Sequence, residues 1–257
     1  MTSGTSGITD VLKIGGNQLD DPAFVAGMAV AVRDMVAAGM PPVIVHGGGR
    51  AIRALQERFG IQPRTIGGLR VTDEQTMALV MMALIGSANV SLVAALTGAG
   101  VEAQGFSGAD RGLLRSKQLT HPGGDLGRVG RIVSVRAEMI RAALAEGVVP
   151  VIAPVALAED GGFHNVNADQ AAGAVAAALG AGRVIFLTDV PGVLRDGARL
   201  ERMARAEAEA LVSGGVARDG MAVKIGAALD ALAAGVARAV ITDLAGLSAG
   251  EGTIVSG

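Results

Sequence analysis

The chain has 257 residues, of which half are hydrophobic and only 2% aromatic, and it contains no cysteine. This composition excludes disulfides, iron–sulfur clusters, cysteine-ligated zinc and a thiol nucleophile, and it argues against a base-stacking surface for single-stranded nucleic acid. The formal net charge of −2 gives no overall field that would attract nucleic acid or an anionic membrane, so any anion site has to be local.

Short apolar runs alternate with alanine-rich helical stretches along the chain. The pattern predicts strands at 11–14, 42–46, 101–104, 132–135, 148–153, 184–187 and 239–241. It predicts helices at 23–38, 49–59, 73–85, 89–96, 137–146, 168–179, 204–213 and 220–234. Strands and helices that alternate at this spacing indicate an α/β fold with a mostly parallel sheet covered on both faces. Glycine-rich segments at 105–130 and 159–165 predict hairpins and loops.

The run from Gln75 to Val101 contains no charged residue and is long enough to span a bilayer. Small and polar residues at 86–91 interrupt it, so we expect two short buried helices rather than a membrane span. Their wide apolar cover makes the run a candidate subunit interface. Residues 1–9 have no apolar core of a secretory signal and predict a disordered leader. A chain without cysteine suits the cytoplasm, where we expect this protein.

Two common nucleotide-binding motifs are excluded. No G-x-x-x-x-G-K-[ST] string is present, which excludes a P-loop. The segment Gly98–Ala103 matches the relaxed dinucleotide fingerprint, but it follows a helix and opens a strand, whereas the fingerprint requires a strand, a turn and then a helix. The segment is more typical of a glycine turn at a helix end.

A lysine within the first apolar strand, followed by two glycines, indicates an anion site. A buried lysine such as Lys13 is rare unless it is paired with an acid. Gly15 and Gly16 allow backbone N–H groups to approach an anion closely. An edge strand with a solvent-facing lysine and an ordinary turn explains these residues equally well.

A second glycine run lies between a strand and a helix. Gly47, Gly48 and Gly49 follow His46, and N–H groups and a helix dipole at such a position form a cradle for an anion. Three consecutive glycines carry an entropic penalty that a plain tight turn does not require, which favours the functional interpretation. His46 itself is more typical of a structural histidine at a strand end than of a catalyst.

Arg70 lies just ahead of a predicted helix that either Thr72 or Asp73 can cap. A guanidinium at that position can bind a carboxylate through both of its arms. A solvated loop arginine is an equally good interpretation of the residue in isolation.

Three further motifs place polar groups at the ends of helices or strands. Asn167 and Asp169 suit a helix start, by capping and by charge, but Asn165 is left unexplained. Asp189 follows a strand, at the edge where open α/β sheets bind ligands, although a common turn explains it too. Lys224 lies near a helix start, where a snorkelling lysine is the alternative.

Each motif is weak by itself, but together, in this order and at this spacing, they resemble the amino acid kinase family. Within that family the chain is most similar to the enzymes that phosphorylate N-acetyl-L-glutamate. The resemblance runs from Lys13 to about Val255. It is carried by the strings K-I-G-G at 13–16, V-I-V-H-G-G-G at 43–49, G-L-R-V-T at 68–72, N-V-N-A-D-Q-A-A at 165–172, L-T-D-V-P-G-V at 187–193 and D-G-M-A-V-K at 219–224.

The resemblance implies a three-layer αβα sandwich around an open, mostly parallel eight-stranded sheet. An N-terminal lobe, 10–178, would bind the acyl-amino acid and dimerise, and a C-terminal lobe, 179–257, would bind ATP. The implied reaction converts ATP and N-acetyl-L-glutamate to ADP and N-acetyl-L-glutamyl 5-phosphate in arginine biosynthesis. Mg²⁺ would be held mainly by the nucleotide phosphates, without a dedicated set of protein ligands. The implied assembly is a homodimer through the uncharged run 75–101.

The resemblance also implies roles for individual residues. Lys13 and Lys224 would flank the transferring phosphoryl group, and Asp169 would hold both lysines through ion pairs. Gly16 and Gly48 would donate N–H groups to phosphoryl oxygens. The substrate α-carboxylate would be held by Arg70 and Asn165, in a pocket lined by Gly48 and Gly49. The residues implied to border the nucleotide are Asp189, Val190, Pro191, Gly192, Val193 and Leu194.

Other members of the same fold remain alternatives. One is a sibling kinase that acts on carrier-bound aminoadipate or glutamate, and another is a non-catalytic amino-acid sensor, against which the intact Lys13, Asp169 and Lys224 argue. An aspartokinase would need an appended regulatory domain for which the length leaves no room. The segment 105–127 does not match the family strongly, and we expect it to form loops or a hairpin over the substrate, so the resemblance supports the acceptor specificity least at this segment. Arginine-inhibited hexameric members carry an extra N-terminal helix, so the short polar leader predicts a dimer insensitive to arginine.

Overall fold

The computed structural model describes residues 9–195, 197–214 and 219–257. The predicted leader therefore lies outside the described residues, except for its last position. The strands are β1 (Asp10–Ile14), β2 (Val43–His46), β3 (Thr65–Ile66), β4 (Leu69–Arg70), β5 (Ala103–Ser107), β6 (Leu114–Gln118), β7 (Gly130–Val135), β8 (Val149–Ala153), β9 (Val155–Ala158), β10 (Phe163–Asn165), β11 (Arg183–Leu187), β12 (Leu194–Arg195), β13 (Ala198–Arg199), β14 (Arg202–Ala204), β15 (Arg238–Thr242) and β16 (Thr253–Ser256).

The α-helices lie between these strands, and the sequence pattern predicts all of those in the described residues except α9. They are α1 (Pro22–Ala37), α2 (Gly49–Arg58), α3 (Glu74–Met81), α4 (Val90–Gly98), α5 (Ala137–Ala145), α6 (Ala168–Leu179), α7 (Arg205–Ser213), α8 (Asp219–Ala233) and α9 (Leu244–Ala249). A π-helical segment, Met82–Asn89, joins α3 to α4, and a 3₁₀ turn covers Asp110–Gly112.

The main sheet has eight strands in the order β14-β16-β15-β11-β1-β2-β8-β5. Every neighbouring pair is parallel except β15 and β16, which are antiparallel. The expected open, mostly parallel eight-stranded sheet is confirmed. Because β1, β2 and β11 lie side by side and run the same way, the loops that leave their carboxyl ends meet at one edge of the sheet, where sheets of this type bind ligands.

Alternate residues of the central strands enter two separate cores, one on each face of the sheet. Val11 and Val43 pack with residues of α6 and α8, whereas Leu12 and Ile44 pack with residues of α1 and α4. Burial on both faces explains why these strands read as continuous apolar runs. The sheet is therefore the middle of three layers.

The helical region Glu74–Gly98 is continuous, which corrects the prediction of two separate helices. The π segment carries Gly86 and Ser87 without a break, and both residues are exposed, so their polar groups stay in contact with water. Within the described residues this region alone is long and apolar enough, by length and composition, to cross a bilayer. Core helices of globular proteins pass the same test.

A second, four-stranded sheet, β10-β9-β6-β7, was not foreseen, although β7 was predicted as a strand at 132–135, and β6 and β10 lie within the segments predicted as hairpins and loops. β6 and β7 form an antiparallel hairpin, and β9 and β10 form another. Isolated bridges join Gly127 to Thr72 and Val129 to Asn165. The small sheet thereby brings two distant polar segments of the chain next to the edge of the main sheet.

Candidate active site

Two glycine turns touch each other at the carboxyl edge of the main sheet. They follow β1 and β2, and Gly47 donates its N–H to the carbonyl of Ile14 at 2.9 Å. A Cβ atom on Gly16 would lie 2.5 Å from the backbone N of Gly48 and 2.6 Å from that of Gly49, so no larger residue fits. Among the described residues, the N–H groups of Gly16, Gly48 and Gly49 have no acceptor. Because these backbone N–H groups are unpaired in the described part of the chain and lie next to the N-terminus of α2, the place where the two turns meet is suited to bind an anion.

Lys13 is held at this edge by Asp169. Its Nζ lies 2.8 Å from Oδ1 of Asp169, and the two side chains are only 17% and 19% exposed. Asp169 stands in the first turn of α6, where Asn167 caps the helix by accepting the N–H groups of Asp169 and Gln170. The pairing accounts for a lysine in the central strand of a buried sheet.

Lys224 pairs with a different acid. Its Nζ lies 2.9 Å from Oδ1 of Asp189, so the expectation that Asp169 holds both lysines is corrected. Asp189 follows β11, against which α8 packs, and this places its carboxylate within reach of Lys224. Hydrogen bonds from Lys224 and from the Thr188 hydroxyl lower the pKa of Asp189 to about 2. Asp189 is nevertheless 83% exposed, so solvent screens this pair.

Arg70, at the end of the β3–β4 hairpin, reaches back to the glycine turn. One guanidinium nitrogen donates to the carbonyl of Gly49 at 3.1 Å, and another donates to the side-chain oxygen of Gln56. Partial burial lowers the pKa of Arg70, and the positive charge of Arg53 lowers it further. Within the part of the chain that the structure describes, the guanidinium is therefore a cation with two neutral partners and no carboxylate partner.

Asn165 is joined to the Arg70 segment through Thr72. Its Nδ2 donates to Oγ1 of Thr72 at 3.1 Å, and the Thr72 hydroxyl donates to the carbonyl of Arg70 at 2.9 Å. Thr72 is thus used as a link, and Asp73 is the residue that caps α3. Arg128 bridges Glu74 and Asp160 at 2.6 Å each, which ties the start of α3 to the β9–β10 turn.

One cleft of about 1,070 Å³ contains most of the predicted site. The residues brought together in its wall are Lys13, Gly16, Gly48, Gly49, Arg70, Asn165, Asp169, Asp189 and Lys224. The other five residues predicted to border the nucleotide, 190–194, do not line it. The N–H of Val193 donates to Thr253 at 2.8 Å, and Leu194 opens the exposed strand β12.

Two polar residues beside the cleft were missed by the sequence reasoning, and both had a readable signal. Gln56 is 1% exposed and holds Arg70, and it lies four positions after Ile52 on the buried face of α2. Asn89 is 4% exposed and is the one asparagine in the uncharged run 75–101. A polar amide on an apolar helix face needs a partner, and that partner is commonly part of a site.

Comparisons with known proteins agree with this geometry. The family model described as the amino acid kinase family matches residues 9–243. The acetylglutamate kinase of Roseiflexus sp. (strain RS-1) is 52% identical over 96% of this chain and 94% of its own length, and that of Methanopyrus kandleri is 44% identical over 96% and 99%. The crystal structure of smu.665 from Streptococcus mutans UA159 superposes with a TM-score of 0.82 at 32% identity and covers 96% of this chain and 98% of that one. The resemblance inferred from the sequence is confirmed, and the chain belongs to the amino acid kinase family and is a kinase.

Proposed function

We propose that this kinase transfers the γ-phosphoryl group of ATP to the γ-carboxylate of N-acetyl-L-glutamate and releases ADP and N-acetyl-L-glutamyl 5-phosphate. One observation carries the proposal: a single cleft holds two lysine–carboxylate pairs, two touching glycine turns whose amides have no acceptor among the described residues, and an arginine with no carboxylate partner among them. Relatives named acetylglutamate kinase, which match nearly the whole chain, support the choice of acceptor. We assign the reaction to arginine biosynthesis in the cytoplasm.

The lysines and the glycine amides would act on the phosphoryl group. Phosphoryl transfer depends on position and on charge stabilisation, and the acceptor carboxylate is already a nucleophile, so no strong base is needed. Lys13 would neutralise charge that develops on the phosphoryl oxygens, and Gly16 and Gly48 would donate N–H groups to them. Asp169 would keep Lys13 in place, since their ion pair is largely shielded from solvent.

Lys224 is suited to move between two partners. It forms an ion pair with Asp189, whose carboxylate is exposed to solvent, and exposed ion pairs contribute little to stability. A phosphoryl oxygen with more negative charge in a less solvated place would therefore compete for the ammonium. This would bring Lys224 to the side of the phosphoryl group opposite Lys13.

Arg70 and Asn165 would bind the α-carboxylate of the acceptor. Arg70 now donates to a backbone carbonyl and to an amide oxygen, both neutral. A carboxylate offers two charged oxygens in the geometry of the guanidinium fork and is the stronger partner. Gly48 and Gly49 would line the same pocket, so the acceptor would lie between the arginine and the transferring phosphoryl group.

Kinases of this family use ATP, and the cleft suits a nucleotide that carries its own Mg²⁺. The described residues include no cluster of three or more histidine, aspartate or glutamate side chains able to hold a metal ion. Of the four aspartates that line the cleft, Asp169 and Asp189 are each paired with a lysine, and the other two, Asp21 and Asp243, cap α1 and α9. Mg²⁺ would therefore be held mainly by the phosphates, whose charge it neutralises. Asp189 and the turn Val190–Leu194 would border the nucleotide.

We assign residues 10–178 to the acceptor and residues 179–257 to ATP, and we propose a homodimer through the helical region 75–101. The side chains of Met82 and Val90 are 55% and 60% exposed on this region, which a second copy would cover. Multi-angle light scattering should give twice the chain mass, and Val90→Glu should lower it to that of a monomer. A hexamer, or inhibition of the enzyme by arginine, would contradict the predicted arginine-insensitive dimer.

A coupled ADP-release assay tests the reaction with N-acetyl-L-glutamate, aminoadipate, aspartate and UMP as acceptors, each with and without Mg²⁺. We expect ADP release only with N-acetyl-L-glutamate as the acceptor and only when Mg²⁺ is present, and we expect it to be slower by about 100-fold or more in a folded Lys13→Met control. Preference for aminoadipate would indicate the sibling kinase, which acts on a carrier-bound acceptor. Absence of ADP with every acceptor would indicate a non-catalytic sensor.

A further inference from the structure

The π segment Met82–Asn89 lies directly behind the glycine turn that follows β2 and contacts it at two points. A Cβ atom on Gly48 would lie 2.5 Å from Cδ2 of Leu84, so this glycine packs against the segment. At the end of the segment, Nδ2 of Asn89 lies 3.0 Å from Nε2 of His46. His46 is fully buried, and its Nδ1 lies 2.9 Å from the carbonyl oxygen of Gly47. A chain of contacts therefore runs from the helix through His46 to the turn.

These contacts determine which nitrogen of His46 carries the proton. The Asn89 amide nitrogen can only donate, so Nε2 of His46 accepts and Nδ1–H donates to Gly47. Asn89 also donates to the carbonyl of Val151 at 2.9 Å, which fixes the orientation of its amide. Burial lowers the pKa of His46 to about 4, so the imidazole is neutral near pH 7. Each of the three contacts, from Asn89 to His46, from Asn89 to Val151 and from His46 to Gly47, then joins a donor to an acceptor.

The π-helical geometry and a glycine in β5 make room for this pair. A π turn accommodates one more residue than an α turn, and each helical residue is rotated by about 100° from the one before it. In a regular α-helix Asn89 would therefore face away from His46. A Cβ atom on Gly105 would collide with Oδ1 of Asn89, so the glycine clears the space that the amide occupies.

We propose that Asn89 and His46 are a positioning pair that holds the carbonyl of Gly47 and thereby aims the N–H groups of Gly48 and Gly49 into the cleft. Neither His46 nor Asn89 lines the cleft, so both act through the glycine turn. This inference adds to the proposed function, and only its kinetic test depends on that function. The tautomer of His46 and the conformation of the glycine turn can be observed without substrate.

Nitrogen NMR of ¹⁵N-histidine-labelled protein tests the hydrogen bonds directly. The chain has three histidines, so His46 can be assigned with single His121→Gln and His164→Gln variants. We expect a neutral His46 protonated at Nδ1. A proton on Nε2 would overturn the proposal, whatever the acceptor of the kinase.

Asn89→Leu tests the consequence for the turn and for turnover. Leucine is similar in size but donates no hydrogen bond, so we expect kcat to fall about ten-fold, as for the loss of one positioning hydrogen bond. The KM for ATP should change less than two-fold, and the amide signals of Gly47–Gly49 should shift. Ala142→Ser, an exposed change on α5 outside the cleft and outside the proposed interface, is the control and should change neither kcat nor the glycine signals. A folded Asn89→Leu protein with wild-type kcat and unshifted glycine signals would overturn the proposal.

Asn89→Asp gives a second test if the leucine variant does not fold. A carboxylate can only accept, so Nε2 of His46 should take up a proton and the imidazolium should appear near pH 7. An unchanged His46 spectrum would refute the contact. If the wild-type enzyme phosphorylated no acceptor, the proposed function would fail, whereas the histidine and glycine signals would still decide this inference.

Discussion

Replacing Gly16 with alanine tests whether the two glycine turns have to touch for phosphoryl transfer. The new Cβ would lie 2.5 Å from the N of Gly48, 2.6 Å from the N of Gly49 and 2.7 Å from the Cα of Gly48, where ordinary contact begins at 3.4 Å. All three atoms belong to backbone, so no flexible side chain can move aside. The turns would have to separate by roughly 1 Å, and a misplacement of that size lowers turnover about 100-fold.

Steady-state kinetics with ATP and N-acetyl-L-glutamate measure this effect, and circular dichroism checks that the variant is folded. Gly98→Ala is the matched control, because a Cβ there has no heavy atom within 4 Å and no positive φ to strain. We expect kcat to fall about 100-fold for Gly16→Ala and to stay at the wild-type value for Gly98→Ala. A folded Gly16→Ala enzyme with kcat within a factor of about three of wild type would refute the argument that close contact of the turns positions the phosphoryl group.

Three further predictions follow from the cleft and its surroundings. Lys13→Met should lower kcat by about 100-fold or more, because it removes a preorganised charge from the phosphoryl site, and steady-state kinetics that find near-normal turnover would contradict the role of Lys13. Arg70→Ala should chiefly raise the KM for the acidic acceptor, and a change in the KM for ATP instead would place Arg70 at the wrong end of the cleft. Because burial lowers the pKa of His46 from 6.5 to about 4, the unfolded chain binds more protons, so the free energy of unfolding should be highest above pH 6.5 and fall as the pH approaches 4. The loss should be roughly 3 kcal/mol for this group, and urea unfolding at several pH values should give a shallower slope for His46→Gln.

The sequence predicted six of the eight strands of the main sheet, because its central strands are buried on both faces, but it did not predict β14 and β16, which lie at one edge and are only partly buried. Continuous apolar runs such as 148–153 separate clearly from helices with glycine at their ends, and the predicted helix 168–179 has the bounds of α6. The small sheet was missed because its strands are short and partly polar. β6, for example, has the sequence L-R-S-K-Q, in which only Leu114 is a large apolar residue. Such strands are stabilised by pairing with β7 and β9, which the local pattern does not encode.

The candidate site was also predicted from the sequence only in part. Lys13 and the glycine turns were found because they break local rules, as a charged residue in an apolar strand and as three glycines in a row. The partner of Lys224 was not found, because the choice between Asp169 and Asp189 depends on how α8 lies across the sheet. The functional role of Asp169 was harder to recognise, because an acidic residue in the first turn of a helix stabilises the helix without any function. Physical pairing across distant segments is settled only by the three-dimensional packing.

The position of β1 at the centre of the main sheet has a consequence for the order of folding. β1 pairs with β2 on one side and with β11 on the other, and Asp169, the partner of its lysine, also comes late in the chain. Parallel pairings between distant segments form slowly, because a long loop has to close before the contacts stabilise it. During synthesis Lys13 has no partner until α6 has emerged, and one edge of β1 stays unpaired until β11 has emerged. Chains that end before β11 should therefore be captured by chaperones or degraded, even when they already contain Asp169.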